Sequence, residues 1–582
     1  MSFFKRLRQD PTMQDLTKKM VLSVVKTRAF PSWKQWQHLP RTLKPKERQL
    51  ASGALLVMIL SLLFLGGRYI VVHQTLVPAV GGEYSEALIG TPQLINPLYA
   101  SLSDVDADLS RLIFSGLMKY DPKDGLVLDL AESYDLSDDG LTYTFVLREN
   151  ARWHNGDPVT VNDVVTTFSM MQDPSYKSPL SVTFKDVRVE EVDERTVQFV
   201  LTEPFSPFLS ALTAGIIPGQ IWDFVPAKNA TLAEANLQPL GSGPYKFDKF
   251  SKDRLGNIRS YTLVRNQDYY DESAKISRLT FRFYPDAMSA VDALSKKNVD
   301  GVSFVPSEAE ALFARDRDIT LLHPLLPQYT ALFFNQVRNS LLKDLDVRQA
   351  LAMAIDRQAL VATVLNNEAK VVDTAILPGM IGASDNVKEP GFDFQAAKAS
   401  IEAVKAKLPA DSKLALTLTT IDNPEFTAVA EFVRQAWSAL GIEVTIVTVG
   451  VDKLQSEVLK ERSYDVLLSG ELLGADPDPY PFWHSSQVDY PGLNIALYAN
   501  RDADKLIEKA RAKSDPAARA EAYQQFQALL DDELPAIFLY QPSYTYAISS
   551  TVKGVEIPAI LTPADRFAQI NKWYLKTKRV LR

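Results

Sequence analysis

The sequence contains no cysteine among its 582 residues. Disulfides, thiolate metal sites, a cysteine nucleophile and a lipid-modified cysteine anchor are therefore excluded. Histidine is scarce, and its five copies stand apart in the sequence, at His38, His73, His154, His323 and His484. No histidine-based metal cluster and no G-x-S-x-G nucleophile motif is visible. We therefore expect no enzyme activity, no metal site and no cofactor.

Positive charge is concentrated at the start of the chain. Residues 1–50 carry 12 Lys and Arg against 3 Asp and Glu, whereas the remaining residues carry 51 against 68. An acidic body argues against nucleic acid as a partner, because it repels phosphates. The basic first 50 residues suit the cytoplasmic surface of a membrane.

The remaining composition is that of a folded protein, with 46% hydrophobic and 23% charged residues. This composition argues against disorder over most of the chain. The length exceeds what one hydrophobic core supports, so we expect two to four domains.

One long apolar run begins at Ala51. No charged residue occurs from there to Gly67, and the apolar character extends to Val72. A helix over 51–72 spans about 33 Å at roughly 1.5 Å per residue, enough to cross a bilayer. The preceding basic residues predict a cytoplasmic N-terminus and an extracytoplasmic C-terminal part.

A cleavable signal peptide is the alternative to an anchor of this kind. The basic region before the run is long for a signal peptide, and no small-residue pair marks a convincing cleavage site, so we favour an uncleaved anchor. Upstream, Leu16, Met20, Val24 and Val25 share a helical face. That segment fits either an amphipathic helix on the membrane surface or a solvated tail.

After a linker at residues 73–82, hydrophobic patterns predict mixed α/β structure. Apolar side chains recur at helical spacing over 427–440, and Gly441 follows as a stop signal. The predicted strands lie at 143–147, 196–201, 414–420, 442–447 and 464–468. Because the helix connects two of these strands, it predicts a β-α-β unit and a parallel sheet.

Two further helical patterns are present. One covers residues 346–365, with Asp346 as its predicted N-terminal cap, and the other covers 502–533. In WHNGDPVTVNDV (153–164), Asn155-Gly156 is a turn pair, and Thr160 and Asp163 are spaced as a capping pair. We expect Trp153 and His154 in the same segment to be packed rather than ligand-binding.

Several blocks resemble those of the family 5 extracellular solute-binding proteins, the peptide-, dipeptide- and nickel-type binding components of ATP-binding-cassette importers. They occur in the family's order over about residues 83–575. The blocks are NPLY (96–99), LAESY (130–134), SDDGLTYTFVLRENARWHNGDPVTVNDV (137–164), GSGPYKF (241–247), RNQDYY (265–270), LKDLDVRQALAMAIDR (342–357), GADPDPYPFWHS (474–485) and DRFAQINKWY (565–574). The Gly-rich GSGPY lacks the Walker lysine and the dinucleotide spacing, so we expect a chain turn there and not a phosphate site.

The resemblance implies an α/β, two-lobed periplasmic-binding-protein fold of the large class with an accessory domain, following one transmembrane helix. The cytoplasmic segment is then 1–50 and the helix 51–72. The implied ranges are 83–122, 235–332 and 538–582 for a discontinuous first lobe, 123–234 for the accessory domain and 333–537 for the second lobe, which begins after the strand TALFFN (330–335).

The loop 469–485 is the most informative candidate site, because it follows the predicted strand 464–468. Ligands of open α/β sheets bind at the carboxyl ends of strands. In peptide-binding members, an acidic residue in the corresponding motif pairs with the ligand's α-ammonium, which implies this role for Asp476. The alternative is that Asp476, which precedes Pro477, only starts a turn. Leu473 stands where the family often has an aromatic residue.

The resemblance implies a binding cleft between the two lobes. Its candidate ligand-binding residues are Asp476, Leu473, Gly474, Ile89, Gly90, Thr91, Tyr329 and Asn335. Tyr480, Phe482 and Trp483 either line the cleft or pack beneath it. The implied ligand is a short peptide, delivered by a monomeric binding protein to ABC permease subunits. A bound nickel chelate, an oligosaccharide or a ligand-sensing receptor role remains the alternative.

Overall fold

The computed structural model describes residues 44–205, 207–384, 390–409, 413–513 and 515–581. They form two compact units, one of residues 44–77 with 578–581 and one of residues 78–577. Most of the predicted cytoplasmic segment, including the amphipathic pattern at 16–25, lies outside the described residues.

Helices and strands alternate along the second unit, as in other mixed α/β proteins. The helices are α1 (Pro45–Val72), α2 (Asp104–Ile113), α3 (Val161–Gln172), α4 (Phe208–Ala211), α5 (Gly219–Trp222), α6 (Ala287–Ser295), α7 (Ser307–Phe313), α8 (Leu345–Met353), α9 (Arg357–Thr363), α10 (Phe394–Lys407), α11 (Pro424–Ala439), α12 (Val451–Lys453), α13 (Tyr480–Trp483), α14 (Arg501–Ala512) and α15 (Pro516–Glu533). The strands are β1 (Gln74–Ala79), β2 (Glu83–Ile89), β3 (Met118–Asp121), β4 (Gly125–Leu128), β5 (Ala131–Leu136), β6 (Thr142–Leu147), β7 (Arg188–Glu191), β8 (Thr196–Val200), β9 (Tyr245–Lys252), β10 (Ile258–Arg265), β11 (Arg278–Tyr284), β12 (Gly301–Val302), β13 (Ile319–Leu322), β14 (Gln328–Phe334), β15 (Ala369–Val371), β16 (Ala415–Ile421), β17 (Glu443–Val449), β18 (Val466–Leu472), β19 (Ala536–Pro542), β20 (Tyr546–Ser549) and β21 (Lys576–Leu581).

The apolar run near the N-terminus forms one helix, α1. Pro45 occupies its first turn, where a missing N–H costs nothing, and the Lys44 N–H donates to Glu47 Oε2 at 3.0 Å. Within Pro45–Ile70, an 18-residue window has a mean hydropathy of 2.3, and none of that window is buried. The helix is long and apolar enough to cross a membrane, and it begins six residues before the predicted span.

A seven-stranded sheet has the order β13-β20-β12-β2-β11-β10-β9. Its central strand, β2, is parallel to both neighbours, β11 and β12. Both faces are buried: Tyr84 and Leu88 of β2 point into one hydrophobic cluster and Ala87 into another. A strand buried on both sides is typical of sheets covered by helices.

A four-stranded antiparallel sheet has the order β5-β6-β8-β7 and includes the strands predicted at 143–147 and 196–201. Its core is aromatic, with Phe168 of α3 meeting Phe199 of β8 edge to face at 5.0 Å between ring centroids. The predicted capping pair is confirmed, since the Thr160 N–H donates to Asp163 Oδ2 at 2.8 Å at the start of α3.

The turn block before α3 is packed as predicted. Trp153 Nε1 donates to Asp163 Oδ2 at 3.3 Å, and His154 Nε2 lies 3.0 Å from the Gly243 carbonyl. Gly156 has a φ of +97°, as the predicted turn requires. Burial lowers the pKa of His154 to about 4, so this ring is neutral at pH 7.

A six-stranded sheet has the order β15-β19-β14-β18-β16-β17. The predicted β-α-β unit is confirmed: β16 and β17 are parallel and α11 connects them. Val433 and Trp437 of α11 are buried against this sheet, and Gly441 follows the helix with a φ of +80°.

The structure divides each of the other two predicted helices. Asp344 caps α8 by accepting from the Asp346 N–H at 3.0 Å, so the prediction of Asp346 as the cap is wrong. Asp356 caps α9, and Asp515 with Pro516 begins α15 after α14 has ended. Alternative caps inside a continuous apolar pattern explain both breaks.

Several predicted boundaries do not coincide with the bounds of the observed helices and strands. Strands β14 and β19 belong entirely to the six-stranded sheet, so the predicted lobe boundaries at 332/333 and 537/538 fall inside strands. Strand β18 continues through 469–472, so the following loop begins at Leu473. The predicted linker 73–82 contains β1, whose partner β21 lies about 500 residues away in sequence and is invisible to local patterns.

Candidate functional site

Two short chain segments connect the two large sheets. One, residues 323–327, leads from β13 to β14, and the other, residues 543–545, leads from β19 to β20. They lie side by side, since the Tyr544 N–H donates to the Pro324 carbonyl at 2.9 Å. Paired connections of this kind allow two lobes to move by hinge rotation.

The candidate loop starts where β18 ends. Strand β18 runs parallel to β16, so the carboxyl ends of both strands lie on the same edge of the sheet. Gly474 is exposed, and Leu473 is buried in the hydrophobic cluster beneath the loop. The geometry agrees with the predicted emergence of the loop at a strand's carboxyl end.

Asp476 forms an ion pair inside the protein. Its Oδ2 lies 2.6 Å from Arg519 Nη2, and each side chain is only 9% exposed. Its Oδ1 accepts from the Asp478 N–H at 3.2 Å, which is the turn contact expected of an Asp before Pro. The carboxylate therefore holds a turn and a cation at the same time.

Arg519 is held in place by α14 and α15. Its Nε donates to the Ala510 carbonyl at 3.2 Å, and Nη2 also donates to the Tyr523 hydroxyl at 3.3 Å. Burial acts to lower the pKa of Arg519, but Asp476 and Tyr523 outweigh it and raise that pKa. Sequence patterns give no sign of Arg519, because it lies 43 residues after Asp476 on a separate helix.

A second Asp–Arg pair lies beside the first. Arg511 Nε lies 3.1 Å from Asp478 Oδ1, and the guanidinium stacks on Tyr480 at 4.2 Å from the ring centroid. The same guanidinium lies 4.9 Å from the ring centroid of Phe205, which belongs to the segment after β8. Arg511 thus touches the candidate loop and the part of the chain that carries the four-stranded sheet.

Tyr329 lies below the loop in a buried hydrogen-bonded cluster. Its hydroxyl donates to Glu471 Oε2 and accepts from Trp483 Nε1 at 3.1 Å. Burial raises the pKa of the Glu471 carboxyl well above its usual range, although the bond from Tyr329 opposes this. The sequence did not decide whether the aromatic residues of this loop line the cleft or pack beneath it. Trp483 packs beneath the loop, and Tyr480 is half-buried against Arg511.

Asn335 caps the end of β14. Its Oδ1 accepts from the Arg338 N–H at 3.0 Å, and its Nδ2 donates to the Arg462 carbonyl at 3.0 Å. Internal contacts engage all three of these predicted residues, Asn335, Tyr329 and Leu473. In this structure they stabilise the six-stranded sheet and the loop that follows β18.

Ile89, Gly90 and Thr91 lie on the other large sheet, at the carboxyl end of β2. Gly90 has a φ of +108°, and its N–H donates to the Tyr284 carbonyl of β11 at 2.8 Å. Backbone groups of adjacent residues in a strand point to opposite edges. Those of Ile89, the last residue of β2, therefore face away from β11, on the side where β12 ends at Val302, and Thr91 follows beyond the strand.

The fold is that of the periplasmic solute-binding proteins: two large sheets joined by two adjacent connections, with a smaller sheet beside them. The sequence model of the bacterial extracellular solute-binding proteins, family 5 Middle, matches residues 125–491, and the chain belongs to this family. This match confirms the family that the ordered sequence blocks indicated.

Relatives cover most of the chain. The oligopeptide-binding protein AppA of Bacillus subtilis is 29% identical in an alignment of 514 residues that covers 86% of this chain and 92% of AppA. The structure of AppA with a nonapeptide superposes with a TM-score of 0.62 at 28% identity, covering 86% of this chain and 100% of AppA. The structure of Campylobacter jejuni NikZ with Ni(L-His) superposes with a TM-score of 0.64 at 26% identity. The superposition covers 84% of this chain and 99% of NikZ.

Proposed function

We propose that this chain captures short peptides outside the cytoplasm and delivers them to the permease of an ABC importer. The similarity to AppA carries the proposal, because it spans 92% of that oligopeptide-binding protein and both large sheets. The ligand occupies the space between the two sheets and is enclosed by hinge motion about residues 323–327 and 543–545.

The proposed contacts come from both sheets. Asp476 and Gly474 meet the amino terminus of the peptide, where a hydrogen bond from an ammonium to an unpaired carboxylate is worth about 1.5–3 kcal/mol. Ile89 and Thr91 offer backbone groups to an extended peptide, a mode that tolerates many side chains. Gly90, Tyr329, Asn335 and Leu473 support these contacts by holding the strand ends.

Peptide binding is tested on the full-length chain in detergent. Native mass spectrometry identifies molecules that co-purify, and thermal shifts with a mixed tri- to pentapeptide library reveal added ligands. We expect peptides to raise the melting temperature. Binding of the nickel–histidine complex or of an oligosaccharide, with no response to peptides, would show that the solute has been misassigned.

The helix α1 is the proposed membrane anchor, with the N-terminus in the cytoplasm and residues 73–582 outside. Its support is an unburied apolar stretch of bilayer length preceded by basic residues. Tethering keeps the binder near its permease and raises the effective concentration.

Deleting residues 51–72 should move the protein from the carbonate-washed membrane fraction to the soluble fraction. Substituting Lys505 with Gln on the exposed face of α14 leaves the apolar stretch intact and serves as the control. Permease subunits should co-purify with the anchored chain. A full-length protein already soluble in cells would contradict the anchor and leave the peptide proposal standing.

A further inference from the structure

The charge of the proposed ammonium-binding carboxylate is already neutralised within the protein. Asp476 Oδ2 and Arg519 Nη2 lie 2.6 Å apart, and both side chains are about nine-tenths buried. A ligand ammonium arriving at Asp476 therefore meets an Asp–Arg pair of zero net charge, and not an isolated carboxylate.

The surroundings of the pair keep Arg519 at this position. Three of its contacts, to Asp476, the Ala510 carbonyl and the Tyr523 hydroxyl, fix the guanidinium between the loop and two helices. Moving it away would leave a buried cation without its counter-ion, which is strongly unfavourable. The neighbouring carboxylate of Asp478 is itself paired, with Arg511 at 3.1 Å.

We propose that Arg519 determines the ligand specificity of this site by masking Asp476, so that the protein accepts peptides with or without a free amino terminus. This inference rests on the proposed peptide-binding function. An unmasked carboxylate would favour a free ammonium by about 10- to 150-fold, the equivalent of one charge-assisted hydrogen bond. With Arg519 in place, most of that preference disappears.

The probes are matched peptides, each prepared with a free amino terminus and as its N-acetyl derivative, titrated into the full-length protein by calorimetry. We expect the two forms to differ by less than about 5-fold for the wild type. Arg519→Gln removes the cation and retains a polar side chain, so it should raise the preference for the free terminus to at least about 10-fold. The ratio of two affinities on one variant is insensitive to any loss of folded protein.

Three further variants define the effect. Arg519→Lys keeps the positive charge and should keep the weak preference of the wild type. Asp476→Asn leaves Arg519 without its counter-ion, so the acetylated peptide should bind more tightly than the free one. Lys505→Gln on α14 removes one positive charge, as Arg519→Gln does, but at an exposed position where Lys505 pairs with Asp502, and it should leave the ratio unchanged.

The outcomes separate this inference from the proposed function. If neither peptide form binds the wild type, the peptide-binding function fails. If peptides bind with a strong preference for the free terminus that Arg519→Gln does not increase, the function stands and the masking role of Arg519 is wrong. Should Arg519→Gln not fold, the reversal expected in Asp476→Asn decides the question: without it, the masking role is rejected.

Discussion

Arg566 shows how a single residue connects distant parts of the first large sheet. Its side chain is completely buried between Glu86 of β2 and Asp108 of α2, with Nη2 to oxygen distances of 2.7 and 2.6 Å. Burial raises the pKa of Asp108 to about 6, although Arg566 opposes this. The block DRFAQINKWY, which resembles a block of the family, therefore has a structural role here: through Arg566 it connects β2 to α2.

Removing this cation should be costly. Arg566→Met leaves two buried carboxylates without a counter-ion, and we expect a loss of about 3–5 kcal/mol in the free energy of unfolding, measured by urea denaturation. The control is Arg278→Met, which breaks a partly exposed pair with Asp248 at 2.8 Å and should cost about 1 kcal/mol or less. Equal losses in the two variants would show that burial of the Arg566 network adds nothing.

At the candidate site, the sequence predicted where the loop and Asp476 lie in the fold, but not which side chains surround Asp476. The loop and Asp476 follow from a strand pattern and a short motif, both local features. The partner of Asp476 does not, since Arg519 reaches it only through the packing of α15 against the loop. The engagement of Tyr329 with Glu471 and Trp483 is likewise a product of strand pairing between β14 and β18.

At the scale of elements, the segment GSGPY, which leads into β9, packs closely against the end of α2. A Cβ built on Gly241 would lie 1.9 Å from the Ile113 carbonyl oxygen at the end of α2. Glycine is required here because two backbones approach each other, which agrees with the chain-turning role predicted from the sequence.

Gly241→Ala should lower the free energy of unfolding by about 1–3 kcal/mol, because α2 must move to admit the methyl group. Gly391→Ala provides the control. A Cβ at Gly391 meets nothing within 4 Å, so its effect should stay within about 0.5 kcal/mol. If both substitutions are neutral in urea denaturation, the close approach at Gly241 is not a constraint on the fold.

Periodicity predicted which segments are helical and which are extended, but not where helices break. The patterns over 346–365 and 502–533 are continuous in apolar character, yet Asp356 and Asp515 each begin a new helix inside them. Each of these Asp side chains accepts a hydrogen bond from a backbone N–H group at the start of its helix, a local contact that an apolar pattern does not reveal. Sheet order and the β1–β21 pairing also depend on contacts between residues far apart in sequence.

At the scale of the whole molecule, two carboxyl groups meet beside the connections between the large sheets. Glu310 lies on α7, next to the seven-stranded sheet, and Glu368 immediately precedes β15 of the six-stranded sheet. Ser543, in one connection, donates its hydroxyl to the Glu368 carbonyl. Movement at the connections therefore changes the surroundings of these carboxyl groups.

Protonation of Glu368 is favoured by this environment. Burial, then a hydrogen bond and repulsion from Glu310, and then repulsion from Glu425 raise its pKa from the ordinary 4.5 to about 7. The other polar neighbours are His323, whose Nδ1 lies 4.0 Å from Glu310, and Tyr540, which donates to Glu425 at 2.8 Å. Burial is the largest cause of this shift, and a proton shared between the two carboxyl groups adds to it.

The contribution of Glu368 to the stability of the chain should consequently decrease as pH rises from about 4.5 to about 7. Over this range the folded state retains a proton on Glu368 that the unfolded state has released, and stability falls with pH wherever the folded state binds more protons. Glu368→Gln imitates the protonated group at every pH, so its melting temperature should match the wild type near pH 4.5 and exceed it near pH 7.5. Glu402→Gln on the exposed face of α10 should follow the wild type throughout. A Glu368→Gln profile parallel to the wild type would mean that the repulsion between Glu310 and Glu368 is relieved by movement of the two sheets, and that the connections, rather than a shared proton, accommodate the charge.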